Sequence, residues 1–263
     1  MARVLVAGFG YLGKALGHLL VEEGHNVFGL RRKIDNSSKI FQISADVSDR
    51  SSLKDLPSNL DFVFFTAAPD ASDEKAYREL YIKGLRNLSE VLAPTPILFT
   101  SSTSVYGQDS GESICENSVT APRGFRGQVL LEAESFASST LRLAGIYGPG
   151  RSRSLDVIRS GEATYTPGKI LNWIHRDDAA AALSHLMGFF AREQMYIGVD
   201  SEPIDSEVFY KWLAKISQSP IPRKGPLAGK NKRLSNLKLR GTGFQFKYPT
   251  FRDGFQALLS IDE

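Results

Sequence analysis

An apolar run that breaks into regularly spaced glycines and then into a helix constrains this chain more than any other feature. Residues 3–7 (Arg-Val-Leu-Val-Ala) read as a short buried strand. Gly8-Phe9-Gly10-Tyr11-Leu12-Gly13 follows at once. Leu12, Ala15, Leu16, Leu19 and Leu20 then recur at spacings of three and four, and Gly24 stops the run. Strand, glycine turn and helix in that order make a phosphate cradle. The first glycine permits the tight turn, the second lets the backbone approach a pyrophosphate, and the third lets helix and strand pack closely. The helix N-terminus adds N–H donors and the positive end of its dipole. The glycine spacing alone is a weak signal; its position between strand and helix makes it a dinucleotide-binding pattern.

The rest of the chain repeats the alternation. Val27–Leu30, Ile40–Ser44, Leu60–Thr66, Ile97–Ser101, Ser139–Leu143 and Met195–Val199 read as strands. Helical periodicity covers 74–92, 125–137, 177–190, 207–217 and 251–259. Residues 103–122, 145–153 and 219–229 read as loops, and 244–248 alternates as a strand would. Alternating strands and helices predict an α/β fold, a doubly wound parallel sheet of the Rossmann type, with a small C-terminal substrate lobe. The expected division is a nucleotide-binding domain over 1–165, with 166–263 completing the sheet and forming the lobe.

Gly8, Gly10, Tyr11, Leu12 and Gly13 are the candidate cradle residues. An NAD site usually ends its second strand in an acid that accepts from the ribose 2′-hydroxyl. Here that strand ends in Leu30-Arg31-Arg32. Arginine donates to a 2′-phosphate in a bidentate fork, so NADP(H) is the expected cofactor and NAD the alternative. Asp35 lies past the strand end. Asp46 and Val47 follow the third strand, where a carboxylate accepts from the adenine amino group, and Ala67 after the fourth completes the cofactor set.

Composition narrows the class further. The 263 residues suffice for a large core without disulfides, and Cys115 is the only cysteine. His18, His25, His175 and His185 are far apart, so no metal site is expected. No apolar run is long enough to span a membrane, and no signal-peptide pattern is evident, so the expectation is a cytoplasmic protein. Residues 208–252 carry 11 Lys and Arg and no Asp or Glu, leaving 21 basic against 29 acidic residues elsewhere. A solvated basic face and a surface for an anionic ligand both account for this. No dedicated motif accompanies it, so no nucleic-acid partner is expected.

Three later segments resemble the extended short-chain dehydrogenase/reductases, and among them the NAD-dependent epimerase/dehydratase family. They are Thr100-Ser101-Ser102-Thr103-Ser104-Val105-Tyr106-Gly107, Arg142-Leu143-Ala144-Gly145-Ile146-Tyr147-Gly148-Pro149-Gly150 and Trp173-Ile174-His175-Arg176-Asp177-Asp178. The resemblance implies a catalytic Ser/Thr with a Tyr-x-x-x-Lys pair on one helix face. Ser102 falls at the serine position. Pro122, Gly127 and Glu134 keep the register of the catalytic helix, but Arg126 stands at the tyrosine position and Leu130 at the lysine position. Arginine is effectively never deprotonated and cannot be the acid/base. It can hold an anionic group or stabilise a developing oxyanion. Ser102 and Arg126 are therefore the candidate catalytic residues. Tyr106, Tyr147 and His175 are candidates for a substitute proton donor, but the motif each sits in gives it a scaffold role first.

The expectation is an atypical NADP(H)-linked oxidoreductase or epimerase-like enzyme acting on a small polar, sugar-nucleotide-like substrate. The alternative is an NADP(H)-binding sensor without turnover. The resemblance also implies a homodimer built on the helices over 74–92 and 125–137.

Overall fold

The computed structural model describes residues 1–190 and 194–260. Its centre is a seven-stranded sheet. β1 (Arg3–Ala7), β2 (Asn26–Arg31), β3 (Phe41–Ser44), β4 (Phe62–Phe65) and β5 (Ile97–Ser102) are joined by the strands Ser139–Leu143 and Gln194–Gly198. The spatial order is Gln194–Gly198, Ser139–Leu143, β5, β4, β1, β2, β3. β1 pairs in parallel with β2 and β4, β2 with β3, β4 with β5, and β5 with Ser139–Leu143. The order runs outward from β1 in both directions, as in a doubly wound sheet. Val4–Ala7 of β1 and Val63–Phe65 of β4 are fully buried. Strands covered on both faces read as continuous apolar runs, which is why these two are so clear in sequence.

α1 (Tyr11–Glu22) buries Leu12, Leu16 and Leu20. Residues 74–91 are helical throughout but not uniform: α2 (Glu74–Tyr77) passes through a wider π turn (Arg78–Gly84) into α3 (Leu85–Val91). Asp73 caps the start by accepting from Ala76 N. α4 (Phe125–Ala133) follows, with Gly127, Val129, Leu130 and Ala133 buried.

The chain forms two compact units, each discontinuous in sequence. One comprises 1–106, 120–143 and 179–196; the other 107–119, 144–178 and 197–263. The second unit thus draws on residues well before 166. Its core is aromatic. Tyr147 stacks on Phe255 at 4.3 Å, with Phe209, Phe251 and Trp173 around them. The helices Ser206–Ile216 and Phe251–Leu259 supply much of this core. Thr250 and Asp253 close the second helix with a reciprocal capping box.

The structure departs from the sequence pattern at four places, one of them the loop over 219–229, where Arg223–Lys224 forms a short strand parallel to Thr164–Tyr165. Residues 103–122 are not all loop, since Ser110–Ile114 is a strand paired in parallel with Asn231–Leu234. Residues 145–153 likewise include the strand Gly145–Tyr147, paired with Trp173–His175. These pairings lie 28 or more residues apart in the chain, beyond the reach of a local pattern. Conversely, 244–248 is not a strand. The N–H groups of Lys247 and Tyr248 donate to the Asp178 carboxylate at 2.6 and 3.0 Å, so a side chain replaces the neighbouring strand.

Candidate functional site

The glycine turn has the geometry its spacing predicts. Gly8 has φ +98, and a Cβ there would lie 2.2 Å from Ala67 N. Its N–H and that of Phe9 both donate to Leu30 O, tying the turn to the end of β2. A Cβ on Gly13 would lie 2.3 Å from Gly8 O, so the helix comes down directly onto the turn. Gly10 is different: nothing lies within 4 Å of where its Cβ would be. It precedes α1, whose N-terminus receives no side-chain cap and has no acid in its first turn. The chain therefore leaves open space, backbone donors and the positive dipole end at one place. That combination fits the pyrophosphate of a dinucleotide.

The other cofactor candidates gather around the same edge. Tyr11 and Leu12 open α1, and Ala67 is half-buried behind Gly8. Arg31 closes β2, and its Nη1 is buried without a hydrogen bond, 3.6 Å from Asp35 Oδ2. Lys14, from the first turn of α1, also reaches Asp35 Oδ2. Lys14 escaped the sequence reading. Its signal is a cation one residue past the glycine motif, on the helix face toward the end of β2. Asp35 also accepts from the Ser37 hydroxyl and N–H at 2.7 and 3.0 Å. The Lys14 ammonium and the two Ser37 donors hold its carboxyl well below the usual carboxylate range. Arg32 points elsewhere, into an exposed ion pair with Asp70. Asp46 turns its carboxylate onto the Ser48 N–H and hydroxyl. Val47 is buried, with Cγ2 facing Gly84.

At the substrate end, Ser102 finishes β5 and caps the short turn Thr103–Val105, accepting from Ser104 N at 3.2 Å. A hydroxyl that accepts one bond still has a proton to donate. α4 sits on this same turn, where a Cβ at Gly127 would come within 2.4 Å of Ser104 O. Ser102 and Arg126 are thus carried on adjoining elements. Arg126 is exposed, with its guanidinium 5.9 Å from the Tyr77 ring and 5.8 Å from the Phe125 ring. Leu130, one turn on, is buried.

The three substitute proton donors are all enclosed. Tyr106 is 1% exposed, and its hydroxyl accepts from Arg142 Nη1 at 2.7 Å. Arg142 in turn donates to both Glu134 oxygens, at 2.9 and 2.6 Å. Burial raises the Tyr147 hydroxyl far above its ordinary value. Burial pushes His175 down to about 4, and its Nδ1 accepts from Asp177 N. A group poised near neutrality was missed in the sequence. Asp200, 2% exposed, is pushed up to about 8 by burial. Its only signal is an acid closing the apolar run Tyr196-Ile197-Gly198-Val199.

The profile of the NAD dependent epimerase/dehydratase family matches residues 4–125. A solved structure named for that family, from Methylobacillus flagellatus, is 32% identical, covers 99% of this chain and 98% of its own, and superposes with a TM-score of 0.86. The chain belongs to the NAD-dependent epimerase/dehydratase family. Protein YeeZ of Escherichia coli K12 is 26% identical over 95% of this chain and 97% of its own length. Short-chain dehydrogenase/reductase family 42E member 1 of Xenopus laevis is 27% identical over 81% of this chain and 67% of its own. Within this epimerase/dehydratase fold, the helix face that carries the tyrosine–lysine pair in the family pattern holds an exposed Arg126 and a buried Leu130. Among the described residues no group of His, Cys, Asp and Glu could hold a metal ion, and no helix is long and apolar enough to cross a membrane.

Proposed function

We propose that this protein is an NADP(H)-preferring oxidoreductase or epimerase-like enzyme of the cytoplasm, acting on a small polar substrate of sugar-nucleotide type. The observation that carries this reading is the open cradle at Gly10, beside the cations Lys14 and Arg31. Gly8, Gly10, Tyr11, Leu12 and Gly13 hold the pyrophosphate, and Arg31 meets the 2′-phosphate. Asp46, Val47 and Ala67 flank the adenosine, with Arg32 a more distant charge. When bound, the nicotinamide supplies or accepts a hydride at a substrate carbon. Ser102 donates its hydroxyl proton as a hydrogen bond to the substrate oxygen. Arg126 orients an anionic group and balances charge developing on that oxygen. The helix face over 74–92 and 125–137 belongs to the proposal as a homodimer surface, although it exposes the ion pairs Arg78–Glu132 and Lys83–Glu79.

The test is calorimetric titration of the full chain with NADPH and NADH, for the wild type and Gly10→Ala. The added methyl meets no other atom of the fold, and thermal melts measure the cost of replacing the N-cap glycine of α1, but it projects into the cradle. We expect NADPH to bind the wild type and Gly10→Ala to weaken it by about tenfold or more. Wild type that binds neither cofactor, or a variant that binds as well as wild type, overturns the reading. The enclosed Tyr106, Tyr147 and His175 favour a second reading, an NADP(H)-binding sensor. Loss of NADPH absorbance with a panel of carbonyl compounds and sugar nucleotides separates the two, since a sensor gives none.

A further inference from the structure

With Arg126 and Leu130 on α4 where the family pattern has tyrosine and lysine, and Tyr106, Tyr147 and His175 all buried, an accessible proton donor has to come from another element. A tyrosine does stand beside Arg126, but on a different helix. The ring of Tyr77, at the end of α2, meets the Phe125 ring edge-on at 5.5 Å, and the Arg126 guanidinium lies 5.9 Å from its centroid. Arg126 Nη2 also donates to Ser72 O at 3.5 Å, in the loop that leads from β4 into α2. The height of Tyr77 over the sheet follows from the topology. Tyr81 packs on Phe65 and Phe99, a registered pair of β4 and β5. Those strands are parallel, so the helical segment between them runs back against both. Tyr77, one turn before Tyr81, therefore stands about 6 Å nearer the carboxyl edge of the sheet, the edge at which β5 ends in Ser102. Tyr81 is 8% exposed, whereas Tyr77 is half-buried, and none of the described residues hydrogen-bonds to its hydroxyl.

We propose that Tyr77 is the proton donor of this site, a catalytic tyrosine supplied by α2 with Arg126 of α4 as its cationic partner. This rests on the oxidoreductase reading above. In reduction the substrate carbonyl carbon gains a hydride from bound NADPH and its oxygen gains the Tyr77 proton, giving the alcohol and NADP⁺. The negative charge left on the phenol oxygen is balanced by Arg126, a cation that does not itself lose a proton, until a proton from water restores the hydroxyl. Oxidation runs the same transfers backwards, with the phenolate taking the proton of the substrate hydroxyl. Ser102 orients the substrate oxygen and Tyr77 protonates it.

The test uses the full chain, wild type and Tyr77→Phe. Phenylalanine keeps the ring that packs on Phe125 and Tyr81 and removes only the hydroxyl, and thermal melts check folding. Calorimetry first measures NADPH binding. Nitration by tetranitromethane, read by peptide mass, then locates Tyr77: bound NADPH should slow its nitration several-fold and leave Tyr210, in the other unit, unchanged. With the panel of carbonyl compounds and sugar nucleotides, Tyr77→Phe should lower kcat about 100-fold or more while the Kd for NADPH stays that of the wild type. Equal nitration of Tyr77 with and without NADPH, or equal turnover by Tyr77→Phe and wild type, overturns the donor and leaves the cofactor reading standing. Wild type that binds NADPH but turns over no compound of the panel also overturns the donor, in favour of the sensor. Wild type that does not bind NADPH overturns the cofactor reading and the proposal with it.

Discussion

In the sheet-containing unit, Arg142 is 3% exposed and every arm of its guanidinium is engaged, two with Glu134 and one with the Tyr106 hydroxyl. In the other unit, Asp178 and Asp200 are 1% and 2% exposed and rely on backbone donors instead. Asp178 accepts from Lys247 and Tyr248 N–H groups. Asp200 accepts from Glu202 N with one oxygen, while its Oδ2 has no partner. The contrast shows two ways of enclosing an ionisable group. An opposite charge with good geometry keeps a buried group ionised. Without one, desolvation favours the neutral form, and burial raises both Asp178 and Asp200. The first arrangement locks three segments together: the strand Ser139–Leu143, the end of α4, and the residue that follows the Ser102–Val105 turn. The second favours a bound proton, which at Asp200 is held up to a pH of about 8.

The largest effect should come from breaking the paired arrangement. Arg142→Met strands Glu134 in a nearly closed site, and removing one partner of a buried pair costs about 3–5 kcal/mol. Urea unfolding of the wild type, Arg142→Met and the double variant with Glu134→Gln would measure it. The double variant should recover part of the loss. A single-variant loss below about 1 kcal/mol would place this pair with exposed ones and dissolve the contrast.

Asp200→Asn probes the unpaired arrangement. The folded carboxyl titrates near 8 and the unfolded one near 3.8, so the folded state holds the extra proton between those values. Stability from this group is therefore lost as pH rises through that window. His175 runs the other way. Its folded value near 4 lies below its ordinary 6.5, so its contribution is lost as pH falls through that range. The two oppose each other below 6.5, and the Asp200 loss emerges alone above it. Asp200→Asn should match the wild type near pH 4 and become the more stable of the two by pH 8, because it has no proton to release as pH rises. Thermal melts across pH would read this; a constant difference at all pH values would mean the carboxyl is not protonated in the fold.

The smallest effect is expected at Glu132, two residues before Glu134 on the same helix segment. It pairs with Arg78 at 3.1 Å, but both side chains are about half exposed. Glu132→Gln should leave the melting temperature unchanged. A loss comparable to that of Arg142→Met would show that pairing, rather than burial, dominates in this unit.

Legibility in the sequence followed the range of the interaction. The cradle was readable because its turn, its neighbouring strand and its helix lie within 22 residues and glycine is required locally. β4 was readable because both its faces are buried and its residues are all apolar. The wrong reading of 244–248 was also local in origin. Alternation there is real, with Phe244 buried, but Asp178, some 70 residues away, takes the backbone donors. Lys14 and Asp35 were visible as letters 21 positions apart, yet their meeting depends on how β2 and α1 diverge from the glycine turn. Arg126 and Leu130 could be named from register. That one is exposed beside aromatic rings and the other enclosed was visible only once α4 had docked on the Ser102–Val105 turn.

The sequence by itself determined the alternating strand and helix order, the position of the cradle, and the absence of tyrosine and lysine from the expected helix face. These depend on side-chain pattern and backbone freedom over a few residues. The tertiary structure alone decided which charges are buried, which are paired, and which buried acids are left without an opposite charge. Those outcomes depend on desolvation and on distances of a few ångströms between segments far apart in the chain, and neither quantity is written in the order of residues.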